Sequence, residues 1–291
     1  MKKNILLVNL LIFSSLCAVY AQRGVIYETR TVKSEILKAD RHYSIYLPPG
    51  YDETDQSFPV LYLLHGSGDD HTGWVQFGQV QHIADKAIAE GKASHLIIVM
   101  PDANTGRKGY FNDIRGDFNY EDFFFKELIP HIEKTYRVRK DRHYRAISGL
   151  SMGGGGTIFY SLHHPEMFAA AAPLSASTGS WEMGQLKSRL GASASQVSDA
   201  QLDAYYKRHS IDGLLNSATK EALDNIKRIK WYISCGDDDF LYEGNSLMHI
   251  SFRKKEIPHE YRVKDGGHTW TYWRTELPLV LEFVSKSFNQ Y

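Results

Sequence analysis

Gly149-Leu150-Ser151-Met152-Gly153 sets a serine between two glycines, with one residue separating it from each. A serine hydroxyl can attack an acyl carbon, but near neutral pH it is a poor nucleophile. It needs a base within hydrogen-bond reach, and that base needs a partner that fixes its tautomer. The bland alternative is a glycine-rich turn whose serine only caps the following helix, and local context separates the two. Tyr144-Arg145-Ala146-Ile147-Ser148 reads as a strand, and the segment from Gly153 can turn directly into a helix. A strand-to-helix turn this tight strains the serine and thrusts its hydroxyl into a crevice at the helix N-terminus, where partial positive charge favours a developing anion.

On such a scaffold the chain order is serine, acid, histidine. Of the 13 histidines, those beyond the acidic strand end Asp237-Asp238-Asp239 are His249, His259 and His268. His249 falls inside an expected helix, and His259 precedes the expected strand Glu260 to Val263. His268 follows that strand in the loop Asp265-Gly266-Gly267-His268-Thr269-Trp270, whose glycines allow a turn back over the sheet. Spacing does not select one of the three aspartates; the other two read as loop-capping or solvated carboxylates. The oxyanion formed by attack requires backbone donors. One is expected from Met152, after the nucleophile, and the other from His65-Gly66-Ser67-Gly68, with Ser67 the first choice and Gly68 the second. No Walker-type lysine or spaced glycine fingerprint accompanies that loop, so it does not read as a phosphate cradle.

Continuous apolar runs at Val60 to Leu64, Leu96 to Met100, Ala146 to Ile147, Phe168 to Leu174 and Trp231 to Ile233 are the mark of strands covered on both faces. Alternating stretches at Val25 to Lys33 and His42 to Leu47 read as an antiparallel opening that stops at Pro48-Pro49-Gly50. Helical segments fall between the later strands at Gln81 to Glu90, Tyr120 to Tyr136, Gly153 to His163 and Asn245 to Glu256. A closing helix spans Leu277 to Phe288, with Leu277, Val280, Leu281, Val284 and Phe288 in one stripe. Strand and helix alternation predicts an α/β fold, a mostly parallel central sheet with helices on both faces. Residues 177–226 break the rhythm. They read as an insertion before the acidic strand, either a lid over the sheet or a mobile surface excursion, with Ser198 at the start of a capped helix.

Lys plus Arg and Asp plus Glu both number 34, so no whole-molecule field favours nucleic acid. The basic stub Lys2-Lys3, the apolar run Ile5 to Tyr20 and the small Ala21 read as a cleavable export signal, residues 1–21, leaving 22–291 as one catalytic domain. The run is too short and too interrupted for a membrane span. Lipidation at Cys17 ranks second, because Ser14-Ser15-Leu16 lacks the small residue usual before such a cysteine. After cleavage only Cys235 stays, so no internal disulfide is expected.

Taken together, Tyr46-Leu47-Pro48-Pro49-Gly50-Tyr51, Pro59 to Gly66, Gly149 to Gly154, Cys235-Gly236-Asp237-Asp238-Asp239 and Gly266-Gly267-His268-Thr269-Trp270 resemble the esterase D-like family. That family includes feruloyl and acetylxylan esterases, with S-formylglutathione hydrolases and mycolyltransferases as relatives. The resemblance implies an α/β-hydrolase fold without metal or organic cofactor. It also implies a Ser151-His268-Asp239 triad, the acid standing three places after the glycine, and oxyanion donors at Ser67 and Met152. Trp74 matches a frequent aromatic near the site, and with Trp270 it is expected to touch substrate. The expected activity is secreted carboxylic-ester hydrolysis, releasing feruloyl or acetyl groups from plant polysaccharide or oligosaccharide. Acyl transfer to a sugar acceptor and non-catalytic carbohydrate binding are the rivals.

Overall fold

The computed structural model describes residues 23–104 and 109–289; the expected export signal and Cys17 lie outside the described residues. Eight strands form one sheet: β1 (Val25–Ser34), β2 (Ala39–Leu47), β3 (Val60–Leu64), β4 (Ile97–Pro101), β5 (Arg145–Leu150), β6 (Ala170–Leu174), β7 (Lys230–Gly236) and β8 (Glu260–Lys264), in the order β1-β2-β4-β3-β5-β6-β7-β8. The pairs β1/β2 and β2/β4 are antiparallel and the remainder are parallel, as the opening pattern and the later apolar runs predict.

The helices are α1 (Gly73–Gln76), α2 (Val80–Ala89), α3 (Tyr120–Phe123), α4 (Ile129–Thr135), α5 (Met152–His163), α6 (Met183–Leu190), α7 (Asp199–Arg208), α8 (Ile211–Ser217), α9 (Lys220–Arg228), α10 (Tyr242–Lys254) and α11 (Trp270–Phe288). Each face of the sheet has its own core. Val60, Tyr62 and Leu64 point into the one shared with α4, α5, α8 and α10, while Leu61 and Leu63 point into the one shared with α2 and α11. Two buried faces explain why β3 is apolar at every position instead of alternating. This is the α/β-hydrolase arrangement.

Sequence and structure part company in three places. The closing helix starts at Trp270, seven residues before the expected Leu277, because Thr269 caps it and burial of Tyr272 and Trp273 holds its first turns. Pro278 sits inside it, and all five residues of the expected stripe are buried. The expected helix from Tyr120 to Tyr136 contains a π-turn at Phe124–Leu128, where the Ile129 N–H reaches back to Phe124. Pro130 follows immediately and has no N–H to continue the ladder. Residues 177–226 hold α6 to α9, anchored by buried Leu186, Leu202, Ile211, Leu215 and Ile226. Ser198 caps α7 in a reciprocal capping box with Gln201.

Candidate active site

In a sheet of this kind ligands sit beyond the carboxyl ends of the strands, where strand order reverses. Here β3 is flanked by β4 on one side and β5 on the other, so the loop after β3 and the turn after β5 straddle the reversal. Ser151 occupies that turn with φ 55° and ψ −115°, a backbone region that side chains of L-residues rarely adopt. The glycines around it are sterically required. A Cβ at Gly153 would lie 2.6 Å from the carbonyl oxygens of both Leu64 and His65, and one at Gly149 would lie 2.6 Å from the Gly153 carbonyl oxygen.

Parallel pairing of β7 with β8 brings the next two loops together at the same edge. Their close passage also depends on glycine, since a Cβ on Gly236 would stand 1.9 Å from the Gly266 oxygen. Asp239 leaves β7 and His268 leaves β8. The His268 Nδ1–H donates to the Asp239 carboxylate, at 2.9 Å to Oδ2 and 3.0 Å to Oδ1. On the other side of the ring, Nε2 accepts from the Ser151 hydroxyl at 2.9 Å. Three side chains, separated by up to 117 residues in the chain, thus form one hydrogen-bonded line.

Burial separates the three aspartates. Asp239 is fully buried, whereas Asp237 and Asp238 are exposed, and Asp237 accepts from the Gly266 and Asp238 N–H groups in the loop. Burial works to raise the Asp239 carboxyl. Hydrogen bonds from His268, the Leu241 N–H and Ser175 outweigh it, leaving this acid below the usual carboxylate range and ionised at neutral pH.

The structure also supplies partners that the sequence reading missed. Ser175, the residue just beyond β6, sits between the serine turn and the acid loop with φ 44°. Its hydroxyl donates to Asp239 and accepts from the Trp273 indole N–H at 3.1 Å. Trp273 in turn sets its ring edge-on to His268 at 4.9 Å. Asn245 on α10, fully buried, binds both the N–H and the carbonyl of Ala176 and so fixes the segment that carries Ser175. His65 is a buried strut: its Nδ1–H donates to the Gly66 carbonyl and its Nε2 accepts from the Ala103 N–H. Burial pushes its pKa down, which keeps the ring neutral. The one usable signal for Ser175 was its position directly after an apolar strand, which many structural serines share.

Ser67 is exposed next to Gly66, whose Cβ position would lie 3.5 Å from the Ser151 Cβ; Met152 is the first residue of α5. The Met152 N–H therefore has no partner within the helix. Among the described residues no backbone acceptor takes the Ser67 N–H either. The expectation that Trp74 touches substrate is corrected: it is fully buried, and its indole N–H is committed to the Leu64 carbonyl at 3.0 Å. Its large ring fills the space beneath the loop after β3. Trp270 is half-buried, with Trp74, Phe77 and Trp273 as ring neighbours. Phe240 is 71% exposed, with its ring 4.5 Å from that of His268.

The esterase family model matches residues 34–283, which takes in every element of this site. The chain belongs to the Esterase family. It is 38% identical over 146 residues to an endo-1,4-beta-xylanase/feruloyl esterase of Xylanibacter ruminicola, covering 46% of this chain and 19% of that protein. An acetyl esterase of Caldicellulosiruptor saccharolyticus is 24% identical over 81% of this chain and 86% of its own length. The structure of a ferulic acid esterase superposes with a TM-score of 0.81 at 34% identity, over 92% of this chain and 99% of that one. The first curated relatives are much longer proteins, of which this esterase-family chain spans 19 to 27%. Among the described residues no helix is long and apolar enough to cross a membrane.

Proposed function

We propose that the chain is an exported serine esterase in which Ser151 is the nucleophile, His268 the general base and acid, and Asp239 the group that orients and stabilises the imidazolium. The observation that carries this reading is the Ser151-His268-Asp239 line of 2.9 Å hydrogen bonds built on a strained serine turn. His268 takes the hydroxyl proton as Ser151 Oγ bonds to the ester carbon. The Ser67 and Met152 N–H groups meet the oxyanion, and collapse breaks the bond to the alcohol oxygen, which leaves with the proton held by His268. Water then gives a proton to His268 and attacks the acyl-enzyme, and Ser151 Oγ leaves and is reprotonated.

Feruloyl or acetyl groups on plant polysaccharide are the substrates we favour, supported by the names of the relatives above and by an exposed aromatic, Phe240, beside the base with Trp270 nearby. Export rests on the Lys2-Lys3 stub and the apolar run up to Ala21. The decisive experiment is turnover of acetylated xylan, methyl ferulate and short aryl esters by the wild type and Ser151→Ala. The variant should fold normally by circular dichroism and lose on the order of a million-fold in kcat. A loss of less than tenfold rejects the assignment.

A further inference from the structure

Phe240 stands at the tip of the loop that carries the acid, and the acid itself fixes that tip. The Leu241 N–H donates to Asp239 Oδ1 at 2.8 Å, the Tyr242 N–H to the Asp239 carbonyl at 2.9 Å, and the Asp239 N–H to the Gly236 carbonyl at 3.3 Å. Asp239 is buried, and Phe240, one residue on, is 71% exposed. A single exposed phenylalanine needs no explanation in itself. Its place does, because its ring lies 4.5 Å from that of His268, tilted by 51°. Trp273 meets the same imidazole edge-on at 4.9 Å but is buried. Of these two rings only Phe240 has a face left for a ligand.

The chemistry decides which half of an ester that face meets. In the mechanism proposed above, the proton taken from Ser151 passes from His268 Nε2 to the alcohol oxygen, which must come within about 2.6–3.2 Å of that nitrogen. The alcohol therefore leaves along the imidazole, past Phe240, while the acyl group stays bonded to Ser151. The same segment carries Tyr242, 58% exposed, and the exposed carboxylates of Asp238 and Glu243. Aromatic faces beside carboxylate acceptors suit a ring that presents C–H groups on one face and hydroxyl donors at its rim. That is the chemistry of a sugar; an alkyl chain would cover the aromatic ring and strip water from the carboxylates without supplying donors.

We infer that Phe240 is the platform of an alcohol subsite, where the sugar ring whose hydroxyl carries the acyl group stacks on the leaving-group side of His268. The inference rests on the esterase reading and adds which half of the substrate this exposed ring reads. Because the acyl-enzyme no longer contains the alcohol, the platform acts on acylation, and a free sugar can occupy it as product or acceptor.

Two measurements test it separately from that reading. In the first, kcat/KM on the monoacetyl ester of methyl xylopyranoside is divided by kcat/KM on ethyl acetate, for wild type and for Phe240→Ala, Phe240→Leu and Phe240→Tyr. Both esters give the same acyl-enzyme, and their intrinsic reactivities cancel when enzymes are compared, so the ratio reports the alcohol half alone. It should fall about tenfold in Phe240→Ala and Phe240→Leu and stay within about threefold of wild type in Phe240→Tyr. An unchanged ratio in Phe240→Ala overturns the platform, and so does a ratio that leucine preserves, since an aliphatic side chain offers no flat face. In the second, calorimetry measures binding of xylotriose to Ser151→Ala and to the same variant carrying Phe240→Ala. Binding weakened about tenfold by loss of the ring supports the platform even if no ester is turned over, an outcome that rejects the esterase reading alone. Absent binding, or binding indifferent to the ring, overturns the platform.

Discussion

At the scale of single residues, the proposed mechanism separates groups that would touch the reacting atoms from groups that hold them. Ser175 belongs to the second kind. It gives one of the hydrogen bonds that keep Asp239 ionised and it satisfies the buried Trp273 indole, whose ring packs on His268. Ser175→Ala should lower kcat by about tenfold, the worth of one hydrogen bond to a charged group, with KM unchanged. Steady-state kinetics checks this, and a rise in KM at constant kcat would assign Ser175 to substrate binding instead. Trp74 teaches the reverse lesson. A tryptophan near the site in sequence looked like a binding surface, yet it is a fully buried brace, and no property of its neighbours in the chain distinguishes the two.

At the scale of elements, contact between the start of α5 and the end of β3 sets the crevice. Gly153 lets the helix backbone approach the Leu64 and His65 carbonyls, and neither backbone atom can move aside for a methyl group. Gly153→Ala should destabilise by about 1–3 kcal/mol or more and sharply reduce turnover, because the same shift moves Ser151 and Met152 off the loop that carries Ser67. Gly184 on α6 has open space around its Cβ position, so Gly184→Ala should leave activity intact and hold or raise the melting temperature. Thermal melts of the pair check the contrast. Beneath the acid and base loops, Glu276 of α11 is buried and accepts from Tyr232, Ser234 and Lys264. This polar clamp ties the closing helix to β7 and β8, the strands that deliver Asp239 and His268.

At the scale of the whole molecule, the 177–226 helices are fastened to the sheet layer by charge as well as by apolar anchors. Glu121 on α3, 1% exposed, accepts from His163 at 2.9 Å, His164 at 3.0 Å and Arg208 of α7 at 3.3 Å. Burial opposes its ionisation, but the two histidines and Arg208 hold its carboxyl far below the ordinary 4.5. Its contribution is fully present above that ordinary value and is lost as pH falls below it toward the folded-state pKa. His209 acts in the same direction over a higher window. The unfolded chain takes up its proton as pH falls below 6.5, while the buried ring resists until about 3, so folding weakens across that interval. Melting temperature should therefore fall from pH 6.5 downward, with a flatter slope in His209→Phe above pH 4.5. Glu121→Gln should cost about 1–3 kcal/mol at pH 7, chiefly by weakening the acceptor of buried His163, since Arg208 is largely exposed. Melting curves from pH 3 to 8 measure both, and equal slopes in wild type and His209→Phe would remove His209 from this account.

What the chain determined by itself was the class of fold, and it marked out Ser151 and His268 as the candidates for nucleophile and base. Doubly buried strands need apolar residues at every position, and a strained serine turn needs glycines at fixed offsets, so both leave local marks. Distinguishing Asp239 from the two acids beside it needed either family resemblance or burial, because neighbours in sequence share a composition but not an environment. Ser175, Asn245 and the Glu121 cluster were decided by tertiary structure alone. Each depends on atoms dozens of residues apart meeting in space, and on which polar groups that meeting buries, quantities that no local spacing encodes.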